Sequence, residues 1–419
     1  MIRDCARTCR NTRQYSGFGT GLAVLSWRRG MDVCTAYRES GQGICSNFSA
    51  MKQRCVALLG WRDEPTDAVE EYCQYLGSAL EALGISFELE RFPWCDLGWR
   101  KAFAKMDRKA GLWKNDWVLI QYTALAWSRR GFSMPVLSLV QFLQKYGAHC
   151  GVVFHDAQPY EGGRLVDRVR RQLQIYTMRE AVRLADLAVL TVPREKAQWL
   201  PPGAQNVVFI PVGANLPSPE TAWMKETSGQ ERLPTVAVFS LSPGRVGAEE
   251  VKAIAEAMCY VAKRIGPVRL VVVGRNAKSA EKLLRESLHG TDVELSLSGI
   301  LAAEEVVRVL GRSDVLLFAR GPISTRRGSA IAGVACGLPV VAARGRETAA
   351  PITEAGVVLI EPGEQFGPAL ARVLGNPIYR ESLAGRSRKA QQSYFSWQAI
   401  AQQYVSALQG RAAAMRKPV

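Results

Sequence analysis

The sequence has no run of about 18 uncharged apolar residues, the length a helix needs to cross a bilayer, so no membrane span is expected. Its ten cysteines form no C-x-x-C pair, and its three histidines, His149, His155 and His289, show no zinc-ligand spacing. An acidic metal-binding motif is also missing, so no metal is expected. Cys55, Cys150 and Cys336 sit inside apolar runs, where a free thiol acts as a small hydrophobe. Unpaired cysteines of this kind point to a reduced, cytoplasmic compartment. Acid is scarce: 38 Asp and Glu stand against 54 Lys and Arg, a formal charge of +16. Such an excess favours anionic partners, namely nucleotides, nucleic acid or acidic lipid headgroups. No nucleic-acid-binding motif accompanies the charge, so no nucleic acid is expected.

Residues 1–50 are rich in Arg, Ser and Gly and show no sustained periodicity. They read as a poorly ordered or mis-assigned N-terminal extension, with Met51 as the natural start. Gly17 to Trp27 is too short and glycine-rich for a signal-peptide core. From Met51 the pattern is regular. Cys55 to Leu59 reads as a buried strand, and Asp67 as the cap of a helix carrying Val69, Tyr72, Cys73, Leu76, Leu80 and Leu83 at helical spacing. Strands follow at 85–89, 116–122, 151–154, 187–191 and 207–210, with helices at 136–146 and 164–184. Residues 216–234, rich in Pro, Ser, Glu and Thr, read as a linker. A second alternating set follows, with a strand at 236–240, a helix at 249–265 and a strand at 270–273. Strands alternating with helices predict parallel βαβ units, hence an α/β fold of two domains, 51–215 and 235–395. A helix closes the chain within 396–412.

Asp314 to Ala343 is the densest stretch. Val315 to Phe318 is a continuous apolar run, as for a strand buried on both faces. The loop after it holds Arg320, Ser324, Thr325, Arg326, Arg327 and Gly328, and Ser329 stands where it can cap a short helix ending at Gly337. A cationic, glycine-bearing loop feeding a helix N-terminus is suited to phosphate. Other candidates also sit at strand ends. Gly244 and Arg245 follow the first strand of the second set, and Gly274 and Arg275 end the next. His155 and Asp156 end a strand of the first domain, and Gln121, Tyr122, Trp127, Arg129 and Arg130 offer aromatic and basic groups for an acceptor. Arg164, Arg168 and Arg171 share one helical face that an anionic membrane would attract, with a solvated face as the alternative.

The segments SDVLLFAR, ACGLPVVAA, EAGVVLIEPG and FSWQAIAQQY, with IPVGANLP upstream, resemble in order and spacing the C-terminal half of the retaining family 4 glycosyltransferases. The resemblance implies the GT-B architecture, two Rossmann-like domains facing each other across a cleft, with the last helix crossing back to the first. It implies transfer of a sugar from a nucleotide-sugar donor to a glycan, lipid-linked or small-molecule acceptor, with retention and no separate cofactor. In that family an arginine in the loop of Gly244 and Arg245 binds the donor diphosphate. A glycine at the position of Gly274 lies near the nucleotide, and a histidine at the position of His155 touches the transferred sugar. His155 and Asp156 are then the catalytic candidates. Gly244, Arg245, Gly274, Arg275, Ser324, Arg326, Arg327, Gly328 and Ser329 are the donor-binding ones. The family carries two glutamates that fall, eight positions apart, at Ser324 and Ala332. The helix glutamate accepts hydrogen bonds from the ribose, which alanine cannot do. A branch with arginines and hydroxyls in place of the acidic pair, or an inactive nucleotide- or partner-binding protein, are the two readings of that difference. The expected location is cytoplasmic, with peripheral contact at the inner membrane face as an addition.

Overall fold

Apolar runs of four to six residues recur between amphipathic segments, and in the computed structural model nearly all of them become parallel strands. The structure describes residues 54–224 and 232–415, which fall in one compact unit spanning 51–419. The expectation for residues 1–50 lies outside the described residues, as does part of the expected linker.

The first half contains β1 (Arg54–Leu59), α1 (Ala68–Ala82), β2 (Ser86–Arg91), α2 (Trp94–Gly111) and β3 (Trp117–Tyr122). It continues with α3 (Pro135–Lys145), β4 (His149–Phe154), α4 (Leu165–Leu184), β5 (Leu187–Leu190) and β6 (Val207–Phe209). The second half contains β7 (Thr235–Phe239), α5 (Gly244–Ile265), β8 (Val268–Val273), α6 (Ala277–Leu288), β9 (Val293–Leu297) and α7 (Ala303–Gly311). It ends with β10 (Val315–Phe318), α8 (Gly328–Ala335), β11 (Val340–Ala343), β12 (Val357–Ile360), α9 (Phe366–Gly375), α10 (Pro377–Ala390) and α11 (Trp397–Met415).

Each half builds a six-stranded parallel sheet, in the orders β2-β1-β3-β4-β5-β6 and β12-β11-β10-β7-β8-β9. Chain order reverses direction between β1 and β3 in the first sheet and between β7 and β10 in the second. Crossovers leave such a point on opposite faces of the sheet. The crevice they open beyond the strands' carboxyl ends is where open α/β sheets hold ligands. In the second sheet, Phe239 ends β7 and Phe318 ends β10 at that crevice.

Asp67 caps α1, its Oδ1 accepting from the N–H of Val69 at 3.1 Å and of Glu70 at 3.2 Å. Tyr72, Cys73, Leu76 and Leu80 then face the core, and the neighbouring face of the helix turns to the second half. The last helix, α11, lies on the first half: Tyr404 and Tyr72 share a hydroxyl hydrogen bond of 2.9 Å, and Trp397 Nε1–H donates to the Ala214 carbonyl at 2.7 Å. Gly213 permits that approach, since a Cβ there would stand 2.9 Å from the Trp397 ring.

Several local expectations change. The helix expected from Glu249 begins at Gly244, so Gly244 and Arg245 are the first helical residues rather than loop. Ser329 is not the cap of α8: the cap position is Arg327, and Ser329 lies inside the first turn. Two helices, α2 and α10, escaped the periodicity reading. Tyr122 and Trp127, read as acceptor-facing, are fully buried in the first half's core.

Candidate functional site

A cleft of about 660 Å³ separates the carboxyl ends of β7, β8 and β10 from one face of α1. Its floor carries strong local constraints. Ser240, directly after β7, holds φ +65°, a region that non-glycine residues rarely occupy. Gly274 follows β8 with φ +95°, and a Cβ there would meet Ser240 Oγ at 2.6 Å. Two backbone excursions therefore pack side by side, and only glycine fits the second.

The cationic end is built by the loop between β10 and α8. Gly328 and Ser329 N–H groups open α8 and have no acceptor within the protein among the described residues. Arg327 sits at the cap position, with its Nε buried and without a partner. Burial, with Arg326 next, pulls the Arg327 guanidinium down to about 10. Arg320, half-buried at the end of β10, is likewise lowered, by burial first and by Arg275. Both remain cations at neutral pH, so two guanidiniums stand beside a helix N-terminus without a counter-ion in contact among the described residues. This is the arrangement that a bound anion would relieve.

Arg326 is committed elsewhere. Its Nε–H donates to Glu347 Oε2 at 2.8 Å and its Nη2–H to Oε1 at 3.2 Å, a half-buried bidentate pair. Glu347, which the sequence reading did not single out, neutralises one of three neighbouring arginines. The loop is fixed to the first half through Thr325, fully buried, whose Oγ1–H donates to the Thr191 carbonyl at 2.6 Å. The Thr325 carbonyl accepts from Val212 N–H at 3.1 Å. Ser324 is buried with its hydroxyl unpartnered and does not line the cleft.

The other expected donor ligands divide. Gly274, Arg327, Gly328 and Ser329 line the cleft. Arg275 and Arg326 line it too, but both are engaged. Arg275 donates from Nη1 to Asp63 Oδ2 at 3.0 Å and from Nε to Thr66 Oγ1 at 2.9 Å, and from Nη2 to the Thr66 carbonyl, so it joins the second half to the β1–α1 loop. Gly244 and Arg245 are not brought to the cleft. Arg245 is 92% exposed and pairs with Glu249 one turn along α5, because the helix begins early enough to turn both outward.

His155 and Asp156 follow β4 directly and do not line the cleft; of the two, Asp156 is near enough to the basic loop to feel Arg326 and Arg327. Gln121 Nε2–H donates to the Leu119 carbonyl at 3.1 Å, which turns Gln121 Oε1 toward His155 Nε2 at 2.9 Å. His155 therefore carries its proton on Nε2. Its ring meets Tyr72 edge-on, with centroids 5.0 Å apart. Burial lowers its pKa to about 4 against the opposing pull of Asp67, so the imidazole is neutral at physiological pH with a free Nδ1 lone pair. Asp156 Oδ2 accepts from Ala124 N–H at 2.8 Å. Burial raises its pKa, while Arg326 and Arg327 act in the opposite direction across the gap. A depressed histidine stabilises the fold above about pH 6.5 and loses that contribution as pH falls toward 4. Relative to His155→Gln, the wild type is expected to lose about 2 kcal/mol between pH 7.5 and 4.5 in urea unfolding. Equal losses in the two proteins would show that His155 does not fold neutral.

The end of the cleft at the start of α7 is apolar, lined by Ile300, 52% exposed, with Leu301, Ala303 and Val306; Tyr75 and Ser78 of α1 line the same cleft. Ala332 opens on the same cleft without a polar atom in its side chain. Among the described residues no cluster of His, Cys, Asp and Glu could hold a metal ion, and no helix is long and apolar enough to cross a membrane.

Residues 240–376 match the family model described as Glycosyl transferases group 1. No curated protein matches the chain. Among solved structures, HepE of Anabaena in complex with UDP and glucose is 18% identical, with a TM-score of 0.56 over 85% of this chain and 100% of its own. A trehalose 6-phosphate synthase from Burkholderia multivorans is 14% identical, with a TM-score of 0.54 over 84% of each chain. MnaA of S. aureus with UDP is 15% identical, with a TM-score of 0.52 over 87% of this chain and 99% of its own. These likenesses identify the two facing sheets as the GT-B fold.

Proposed function

We propose that the protein is a glycosyltransferase that moves a sugar from a nucleoside diphosphate sugar to an acceptor. The observation that carries this reading is the pair of unpartnered guanidiniums, Arg320 and Arg327, beside the free N–H groups of Gly328 and Ser329 in the cleft. The match of residues 240–376 to a glycosyltransferase family and the UDP held by similarly folded proteins support it. The cleft is long enough in kind as well as volume: a cationic end suits a diphosphate and an apolar end suits a base. In the reaction the bond from the anomeric carbon to the diphosphate breaks and a bond to the acceptor oxygen forms. The arginines and the α8 N-terminus stabilise the charge that grows on the departing diphosphate. Retention at the anomeric carbon fits this arrangement, with the acceptor's proton passing to the leaving oxygen and no enzyme nucleophile involved. His155 does not line the cleft, so it would meet the sugar only where the sugar extends beyond the cationic end toward the end of β4; its neutral Nδ1 would accept a hydrogen bond there.

The acceptor, a glycan or a lipid-linked or small molecule, would lie against the first half. The protein would act in the cytoplasm, where α4 offers Arg164, Arg168 and Arg171 alongside Leu165, 78% exposed, and Val169 to the surface of an anionic membrane.

The test is a donor screen. Thermal stabilisation by one nucleoside diphosphate is expected to exceed that by the other bases. With the matching nucleotide sugar and a glycan or lipid extract, mass detection is expected to find a glycosylated product. Stabilisation with neither product nor nucleotide release from any nucleotide sugar would favour an inactive nucleotide-binding protein, a reading to which the alanine at position 332 gives some weight.

A further inference from the structure

Among the described residues, only two acidic side chains line the cleft, Asp63 and Glu71. Asp63 is taken by Arg275 at 3.0 Å. Glu71 is not: its side chain's one hydrogen bond among the described residues comes from Asn215 Nδ2 at 3.4 Å, long for a charge-assisted contact. The same Asn215 amide donates to the Ala68 carbonyl at 2.9 Å, which fixes its orientation. One carboxylate in the cleft is thus held in place and nearly unused.

Its position along α1 is informative. Just before the helix, Thr66 is clasped by Arg275, which is close enough to Arg320 to lower its pKa, so this end of α1 adjoins the cations. One turn beyond Glu71, Tyr75 stacks on Trp397 and feels the charge of Glu304 on α7, at the apolar end. Glu71 therefore stands between the two ends. A ligand spanning them would put an anion against the arginines and a flat apolar group against Ile300 and Tyr75. At Glu71 it would need hydrogen-bond donors. A carboxylate has two oxygens and can accept from both hydroxyls of a cis-diol at once. A phosphate there would be repelled.

We propose that Glu71, positioned by Asn215, reads the ribose hydroxyls of a bound ribonucleoside diphosphate. The acceptor that α8 cannot supply at Ala332 comes instead from α1, in the opposite half of the molecule. This rests on the nucleotide reading of the cleft, and ties ribose recognition to the facing of the two halves.

The test is calorimetric titration of the full chain at fixed ionic strength with UDP and dUDP, GDP and dGDP, ADP and dADP, and inorganic diphosphate. Wild type, Glu71→Gln and Glu71→Ala are compared. The wild type is expected to bind one ribonucleoside diphosphate roughly tenfold or more tightly than its 2′-deoxy counterpart. Glu71→Ala is expected to weaken the ribo form by roughly ten- to a hundredfold and erase the preference, without weakening inorganic diphosphate. Glu71→Gln, which keeps one acceptor oxygen, is expected to fall between them. If the wild type discriminates and Glu71→Ala discriminates equally, the Glu71 assignment is overturned while the nucleotide reading stands. If the wild type binds no nucleoside diphosphate, both are overturned.

Discussion

Arg327→Ala is expected to lower kcat/KM by roughly a hundred- to a thousandfold, the usual consequence of removing one group that stabilises developing charge in a water-poor site. The expectation follows from what the guanidinium lacks. Its Nε is buried without an acceptor, and Arg326 and Arg320 both disfavour its charge. A cation kept in such surroundings costs stability in the empty protein and gains it only when an anion arrives. A second readout follows. The empty Arg327→Ala protein is expected to unfold at the same temperature as wild type or higher, whereas loss of a structural arginine would lower it. Even with burial pulling it down to about 10, the guanidinium stays charged through neutral pH. Donor binding should therefore be level on its account from about pH 6 to about 9. Unchanged donor affinity in Arg327→Ala, together with a lowered melting temperature, would remove the arginine from the site and make it part of the scaffold.

Arg326→Ala is expected to behave differently. Its bidentate pair with Glu347 is half-buried, so truncation leaves a carboxylate uncompensated beside Asp156. Here stability should fall along with activity. Arg326→Ala combined with Glu347→Ala should recover part of the lost stability, a coupling readable in a double-mutant cycle.

The contrast between the two arginines marks the limit of what the sequence could convey. Arg326 and Arg327 are adjacent, both precede Gly328, and nothing local separates a ligand from a partnered side chain. The distinction comes from Glu347, beyond the next strand, which reaches the loop only because β10 and β11 are neighbours. Glu71 is further removed, since α1 meets the cleft only when the two halves face each other. By contrast, Val315 to Phe318 was legible as a strand, because a parallel strand covered on both faces is apolar throughout. Asp67 was legible as a cap because its chemistry is local. The α2 helix was hidden by Gly98, whose φ of +73° interrupts it near its start. The α10 helix was hidden by its polar run from Arg380 to Lys389, where alternation between a wet and a dry face is weak. Arg245 was misplaced for the same local reason: Pro243 and Gly244 read as loop, although proline at the cap of α5 admits a helix directly.

Trp127→Ala is expected to destabilise the protein by about 3–5 kcal/mol, among the largest losses a single core truncation brings. The flanking Arg129 and Arg130 suggested a surface aromatic, yet the ring is fully buried against Phe92 and Trp99. Its one polar atom is satisfied there, as Nε1–H donates to the Gln121 carbonyl at 2.8 Å. That bond links packing to the site. Gln121 is the residue whose Oε1 holds His155, so a cavity at Trp127 frees the β3 end that orients the imidazole. Water admitted there would reduce the desolvation that holds His155 near 4. Two measurements check the chain of effects. Urea unfolding at pH 7.5 gives the stability loss, and NMR titration is expected to show His155 rising toward its ordinary value near 6.5 in Trp127→Ala. Trp127→Phe keeps most of the ring volume and drops only the hydrogen bond, so it should cost about 1–3 kcal/mol and shift His155 less. A loss under about 1 kcal/mol in Trp127→Ala would mean that the β3–α3 loop is not anchored by this side chain. An unmoved His155 with a large stability loss would separate the core from the site and leave Gln121 to orient the imidazole through its bond to Leu119 alone.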